Sequence, residues 1–578
     1  MVTEQRIDGG ELCARCLLLA DVEDVFALHG GHLDPIFQAC MDLGIRLIDV
    51  RHEAAAGHAA DAYARQTGRC GVALATAGPG FTNILTAIAQ AYLDCTPMLV
   101  IVGAPPLRDA ERWPLQGGFD QVAVARPMTK WAMQVTRTEL IPHLLGQALR
   151  EATDGRPGPV LLEIPIDVLF GRVPLEDVVW PDLARASRPA PAPEQVAEAV
   201  QLLMRAKRPA ILCGGGMLYA QAADALREFV LASGIPVYAN SKARGMLQAG
   251  HPLDGGPHTN IKVAEAAGIG GPDVLLVLGA RFGMFTEPGL LGPGRIPADG
   301  CRIIQVNTSA AELGRVRPVQ LPLLADCRAV LKALIGATRH AHWPDWSKWS
   351  AAVAGLRDWH RQAYAAASDE AANGWPIHPY RAVTEVVRAL GDDVILCLDG
   401  GEASFWAELV AAPTQPGGLM SHGYLGCLGI GVPFAIGAQV AHPERRVAVI
   451  TGDGSMGFHL QEFDTLVRHG LPVVTVVLNN KAWGMCVHGQ QSLYGGNRLV
   501  ATRLADARYD LAAAALGCHG EYVERAEEIA PAVERALASG RPACVEILVD
   551  LDVRPLAAGA SSAEGRRSNE VVLPYYDA

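Results

Sequence analysis

A carboxylate and a carboxamide stand at the ends of two apolar runs. Asp453 lies in Gly452-Asp453-Gly454-Ser455, directly after Val447-Ala448-Val449-Ile450-Thr451. Asn479-Asn480 directly follow Val473-Val474-Thr475-Val476-Val477-Leu478. The stretch between, through Phe463 and Leu466-Val467, has room for one crossover helix, so the two strands can lie parallel. Open parallel sheets bind ligands outside the carboxyl ends of their strands. One Asp oxygen, one Asn oxygen and a loop carbonyl suit a small hard cation such as Mg²⁺, which shares its shell with a substrate's phosphates. Gly452 and Gly454 let the backbone come close to a diphosphate. A Gly-Asp-Gly turn alone is common. Followed at this distance by Asn-Asn, with a strand before each, it is a strong signal.

That pattern resembles the diphosphate-binding motif of the thiamine diphosphate enzymes, and similarity extends over roughly residues 10 to 555. It runs through Arg51-His52-Glu53-Ala54-Ala55-Ala56-Gly57-His58, Thr76-Ala77-Gly78-Pro79-Gly80-Phe81-Thr82-Asn83 and Gly279-Ala280-Arg281-Phe282-Gly283. Within the family the chain is most similar to benzaldehyde lyase. The stretches that carry this are His29-Gly30-Gly31-His32, Leu115-Gln116-Gly117-Gly118-Phe119-Asp120-Gln121-Val122 and Ser421-His422-Gly423-Tyr424-Leu425-Gly426. Acetolactate synthases are the next nearest group.

Several elements must position these residues. A chain of 578 residues is too long for one core. Three blocks alternate strand-like apolar runs with helical patterns, the mark of parallel α/β layers. The resemblance implies three doubly wound parallel-sheet domains: a pyrimidine-binding domain at 1–187, a middle domain at 194–342 and a diphosphate-binding domain at 375–555. The first block ends in an extended linker, Arg188-Pro189-Ala190-Pro191-Ala192-Pro193, and a tail or lid occupies 556–578. Gly214-Gly215-Gly216 reads as a tight strand-to-helix turn and does not form G-x-G-x-x-G. Relatives such as acetolactate synthases hold FAD in the middle domain and benzaldehyde lyase does not, which leaves FAD open here. Gly423 to Ala441 reads as a glycine-rich loop entering a buried helix, not as a membrane span.

Composition narrows the partners. Half the residues are apolar, 19% are charged and the net charge is −12. No basic stretch offsets that charge, which argues against nucleic acid. Thirteen cysteines lack framework spacing, as in a reducing cytoplasm, and the N-terminus has no signal-peptide core. Cys13-Ala14-Arg15-Cys16 lacks a second ligand pair for zinc. His52 and His58 are six apart, about 240° around a helix, whereas zinc ligands sit at i and i+4.

The resemblance assigns roles residue by residue. Glu53 would hydrogen-bond the cofactor's pyrimidine and promote formation of its reactive carbon. Asp453, Asn480 and the Ala482 carbonyl would hold Mg²⁺. Gly454, Ser455, Trp483 and Gly484 would line the phosphates, Gly401 and Gly426 would meet the cofactor, and Leu428 would wedge between its rings. His32, Gln116 and His422 would handle the substrate's oxygen atoms and protons. Gly31, Ile166, Ser404 and Met485 would line the substrate pocket. Ile166 stands where benzaldehyde lyase has tryptophan, Ser404 where it has tyrosine and Met485 where it has alanine, so smaller or aliphatic acyl groups are expected.

The implied reaction is reversible cleavage and ligation of 2-hydroxy ketones, with an aldehyde, a 2-hydroxy ketone or a 2-keto acid as substrate. A pyruvate-decarboxylating synthase is the rival. A 2-hydroxyacyl-CoA lyase is a further one, disfavoured because no basic cluster for CoA phosphates shows in the sequence. Glu53 and Asp453 come from different subunits in this family. A homodimer is therefore the smallest active unit, and a homotetramer is expected.

Overall fold

A computed structural model describes residues 5–183, 187–283, 286–287, 295–370 and 375–555. The tail expected at 556–578 lies outside the described residues. Three six-stranded sheets follow one another along the chain, and every pairing within them is parallel. The fold is therefore the expected α/β one. Each sheet is built of short runs rich in Val, Ile and Leu that are buried on both faces, as parallel strands covered by helices require.

In the first sheet the order is Arg46–Asp49, Asp24–Ala27, Gly71–Ala75, Met98–Ala104, Pro159–Pro165, Trp131–Gln134. In the middle sheet it is Asp254–Pro257, Val237–Ala239, Pro209–Cys213, Val274–Leu278, Arg302–Asn307, Leu321–Leu324. In the last it is Leu419–Met420, Val394–Leu398, Arg446–Gly452, Val474–Asn479, Ala543–Leu548, His519–Val523. In each sheet the chain first steps outward one way from an inner strand and then crosses to that strand's other side, which leaves a crevice between the carboxyl ends of two neighbouring strands. The crevice lies between Asp24–Ala27 and Gly71–Ala75 in the first sheet, and between Pro209–Cys213 and Val274–Leu278 in the middle one. In the last it lies between Val394–Leu398 and Arg446–Gly452.

The first and last sheets share a core. Helix Glu53–Thr67 packs against helix Gly431–Ala441, and residues of both domains join one cluster that includes Phe26, Phe81, Phe434 and Phe463. Gly437 has its Cα against the backbone of Ala59, so any side chain there would hold the helices apart. The stretch 423–441 thus forms a loop entering a buried helix, and among the described residues no helix is long and apolar enough to cross a membrane. All thirteen cysteines are free, and Cys13 and Cys16 are buried on helix Gly9–Leu19. Gly214-Gly215-Gly216 forms the strand-to-helix turn, with Gly214 packed on Ala280.

Candidate active site

Residues expected to do chemistry gather at two of these crevices. At the first, His32 follows strand Asp24–Ala27 and Thr76 follows strand Gly71–Ala75. His32 Nδ1 and Thr76 Oγ1 are 3.1 Å apart, so the hydrogen bond spans the crevice. A Cβ built on Gly103, in the next strand, would stand 2.6 Å from the His32 Cβ, so only glycine leaves the ring its place. Half-burial holds the His32 pKa below its ordinary value, because a charged ring there would lose hydration. Gln116 has a left-handed backbone (φ 61°) and lies against Gly78 at the start of helix Pro79–Asp94. Ile166 directly follows strand Pro159–Pro165 at the same edge, and Gly31 opens the turn that carries His32.

Glu53 begins its helix, with His52 as the N-cap, and is buried. Its Oε2 accepts from Asn83 Nδ2 at 3.0 Å, and Gly80 leaves room for Oε1. Asn83 and Thr76 are partners that the sequence reading did not assign. So is Gln121, which accepts from Gly78 N (2.9 Å) and donates to Gly103 O (3.0 Å) and Glu163 (2.6 Å). Gln121 thereby ties the loop after Gly71–Ala75 to the end of Met98–Ala104. His29 pairs at the surface with Asp34 (2.8 Å) and stacks on Phe37.

The last sheet carries the other set. Asp453 opens a single helical turn, Asp453–Met456, and is buried with Ser455. Burial pushes the Asp453 carboxyl up to about 7, because the buried charge is opposed only by backbone N–H groups. Asp453 Oδ2 and Asn480 Oδ1 both accept from the Ala482 N–H at 3.1 Å, so the two oxygens converge on one point. Asn479 faces away, donating to Glu546 at 2.7 Å. Gly454 lies under the Trp483 ring, where a Cβ would come within 2.5 Å, and a Cβ on Gly484 would stand 2.7 Å from Asn480 Nδ2. On the far wall, Gly400 (φ 92°) sits against Ser455 Oγ and Gly401 against Met485 Sδ.

Asp399 organises that wall and was not singled out from the sequence. Its carboxylate accepts from Gly400 N (2.6 Å), Gly429 N (3.1 Å) and Gly431 N (2.9 Å), pinning the loop that carries Gly426 and Leu428. His422 Nε2 lies 3.3 Å from Gly400 O. Glu402 and His488 also escaped the sequence reading. The imidazole bridges Glu402 Oε1 (2.5 Å) and Leu551 O (2.7 Å). A carbonyl only accepts, so His488 Nε2 carries a hydrogen and donates it to Leu551 O.

A cavity of about 1330 Å³ joins this edge to the middle sheet. Glu402, Ser404, His422 and Met485 line one end, and Gly215, Lys242 and Arg281 the other. Within one chain Glu53, His32, Gln116 and Ile166 do not line it. Arg156, Arg188, Lys242 and Arg281 also line this cavity, from distant segments of the chain. Each is already engaged: Arg156 with Glu312, Arg188 with Asp326, Lys242 with Asp94 and Arg281 with the Leu93 carbonyl.

Known proteins place this architecture. The N-terminal TPP binding domain of thiamine pyrophosphate enzymes matches residues 7–124, the central domain 196–334 and the C-terminal TPP binding domain 399–547. A probable acetolactate synthase of Mycobacterium bovis is 34% identical over 553 residues, 95% of this chain and 97% of that protein. The chain belongs to the thiamine pyrophosphate enzymes. Other relatives within the family differ in what they are named for. The acetolactate synthase large subunit of Corynebacterium glutamicum is 32% identical over 99% of this chain and 92% of its own. The 2-hydroxyacyl-CoA lyase 2 of Homo sapiens is 33% identical over 94% of this chain and 90% of its own.

The donor set fits the group that a thiamine pyrophosphate enzyme carries. Asp453 and Asn480 offer two converging hard oxygens, and the bare backbone of Gly454 lets the Trp483 ring pack directly on the turn that carries Asp453. Among the described residues no cluster of three or more His, Cys, Asp or Glu could hold a metal ion. A site made of one carboxylate, one carboxamide and one carbonyl is not a cluster of that kind.

Proposed function

We propose that this enzyme reversibly cleaves and joins the C–C bond of 2-hydroxy ketones, with smaller or aliphatic acyl groups. Thiamine diphosphate, when bound, supplies a nucleophilic carbon and a sink for the electrons of the breaking bond. Asp453, Asn480 and the Ala482 carbonyl would hold Mg²⁺, and Gly454, Ser455, Trp483 and Gly484 would line the diphosphate. Gly401, Gly426 and Leu428 would meet the cofactor's rings, and Glu53 would hydrogen-bond its pyrimidine. By the resemblance, Glu53 of one subunit meets the Asp453 edge of another, so the working site would pair the first sheet of one subunit with the last sheet of its partner. The minimal unit is then a homodimer, with a homotetramer as the expected assembly.

The observation that carries the reading is His32 at its crevice. Its depressed pKa keeps the ring neutral near pH 7, and Nδ1 is occupied by Thr76. In the tautomer whose Nδ1–H donates to Thr76 Oγ1, Nε2 has the lone pair to take the proton from a substrate hydroxyl as the bond breaks and return it on ligation. Gln116 fixes the carbonyl oxygen, and His422 faces it from the other wall. Ile166, Ser404 and Met485 offer an aliphatic, mostly non-aromatic lining.

A second reading has one observation in its favour. The cavity is larger than a simple acyloin needs and reaches the glycine turn of the middle domain, as an acyl-CoA or FAD would require. The pairing of its basic side chains weakens that reading. Purified protein with thiamine diphosphate and Mg²⁺ should release acetaldehyde from acetoin. Carbon dioxide from pyruvate without aldehyde from acetoin would favour the synthase, and formyl-CoA from a 2-hydroxyacyl-CoA the CoA lyase.

A further inference from the structure

We infer that Lys242 is a positioning residue for His422, acting from the middle domain through Asp94. The inference rests on the reading of His422 as a substrate-side group. His422 sits between two clamped neighbours. Arg65 Nη1 donates to Ser421 O at 3.2 Å, and Asp94 lies so close to the Gly423 Cα that no Cβ fits. Arg65 and Asp94 are themselves joined at 2.9 Å, and Asp61 (2.7 and 2.8 Å) and Gln90 (2.8 Å) complete the cluster.

Lys242 is the member of this cluster that comes from another domain. It lies on the turn Ser241–Ala243 after strand Val237–Ala239, and its ammonium donates to Asp94 O (2.8 Å) and meets Asp94 Oδ2 at 3.1 Å. Arg65 and Lys242 then balance Asp61 and Asp94, two charges against two, in a buried setting where an unbalanced charge is costly. The same turn grips the loop a second time. Ser241 Oγ donates to Glu408 Oε1 at 2.8 Å, and Ser421 Oγ donates to that oxygen at 3.4 Å. Arg281 of the middle domain reaches the Leu93 carbonyl and lies over the Tyr424 ring, 5.0 Å from its centroid.

The stem of Lys242 runs along Gly215, where a Cβ would come within 3.1 Å of its Cδ. Lys242 and His422 line the same cavity. The middle domain is thus connected to the substrate edge by a side chain that passes the cavity on its way.

The test compares wild type, Lys242→Met and Lys242→Arg, each reconstituted with thiamine diphosphate and Mg²⁺. Amide hydrogen exchange over residues 419–426 should quicken about tenfold in Lys242→Met and return to near wild type in Lys242→Arg. Acetaldehyde release from acetoin should show kcat down about tenfold with KM within about twofold, since orientation is lost and binding is not. Unchanged exchange over that segment, or equal loosening of every domain, overturns the inference. Should Lys242→Met not fold, Lys242→Gln, which keeps a donor without the charge, takes its place. If the wild type cleaves no acyloin, the proposed function falls and the exchange comparison alone decides on Lys242.

Discussion

Replacing Asp399 by Asn tests whether one buried carboxylate sets the geometry of the last sheet's crevice. Asp399 Oδ1 serves the Gly400 and Gly429 N–H groups, and Oδ2 serves Gly431 N–H at 2.9 Å. An asparagine keeps one oxygen, so two of these bonds survive and the Gly431 N–H meets an amide nitrogen instead. The lost bond to a charged acceptor is worth about 1.5–3 kcal/mol, and the stranded N–H costs about 1–3 kcal/mol more. Part of this is offset, because burial pushes the Asp399 carboxyl up and its charge is itself costly to keep. A net loss of about 2–3 kcal/mol follows, which lowers the unfolding midpoint of a domain this size by roughly 6 °C. The loop carrying Gly426 and Leu428 hangs from the same three bonds, so the Kd for thiamine diphosphate should rise about tenfold. Thermal unfolding and titration followed by Trp483 fluorescence read both effects. A midpoint within about 1 °C of wild type, with unchanged Kd, would refute the reasoning.

Three other outcomes follow from the structure. Met485→Ala removes the thioether packed on Gly401 and should shift the kcat/KM ratio toward aromatic 2-hydroxy ketones by about tenfold; an unshifted ratio means Met485 does not shape the pocket. His32→Asn removes the group that exchanges protons and should cost about 10²-fold in kcat, with the thiamine diphosphate Kd unaltered; a change confined to KM would make His32 a binding group only. Glu462, buried against the Arg51 N–H, has its pKa raised to about 7 by burial, against 4.5 ordinarily. Between those values the folded chain keeps a proton that the unfolded chain has released, so this stabilisation is complete below pH 4.5 and lost as pH rises through 7. Glu462→Gln lacks the titration and should gain on wild type by about 3 kcal/mol from pH 4.5 to 7.5 in denaturant midpoints; a pH-independent difference contradicts this.

The sequence revealed strands where burial leaves a mark. Val394–Leu398, Pro209–Cys213 and Val274–Leu278 are apolar throughout because both faces are covered, Ala543–Leu548 is apolar but for Glu546, and the limits of all four could be read directly. Edge strands leave no such mark. Trp131–Gln134 and His519–Val523 are half-exposed and mixed in character, Asp254–Pro257 begins with Asp-Gly-Gly, and Leu419–Met420 is two residues long. None of these stood out. The candidate site divides in the same way. Asp453 and Asn480 each end a strand, so local sequence points to them. Asp399 acts on glycines 30 and more residues away, Gln121 on Glu163 and Glu402 on His488, and nothing near each residue announces its partner. Pairings of that kind belong to the topology, which brings strand ends together only once the sheet order is set.

In the proposed enzyme, Glu53 of one subunit and Asp453 of another complete a single site. Glu53→Gln and Asp453→Asn should each abolish acyloin cleavage when pure. When equal amounts are unfolded and refolded together, half the dimers are mixed and one of their two sites is intact, so about a quarter of wild-type activity should return. No return of activity from mixed dimers that form normally would contradict the shared site, and with it the proposed chemistry.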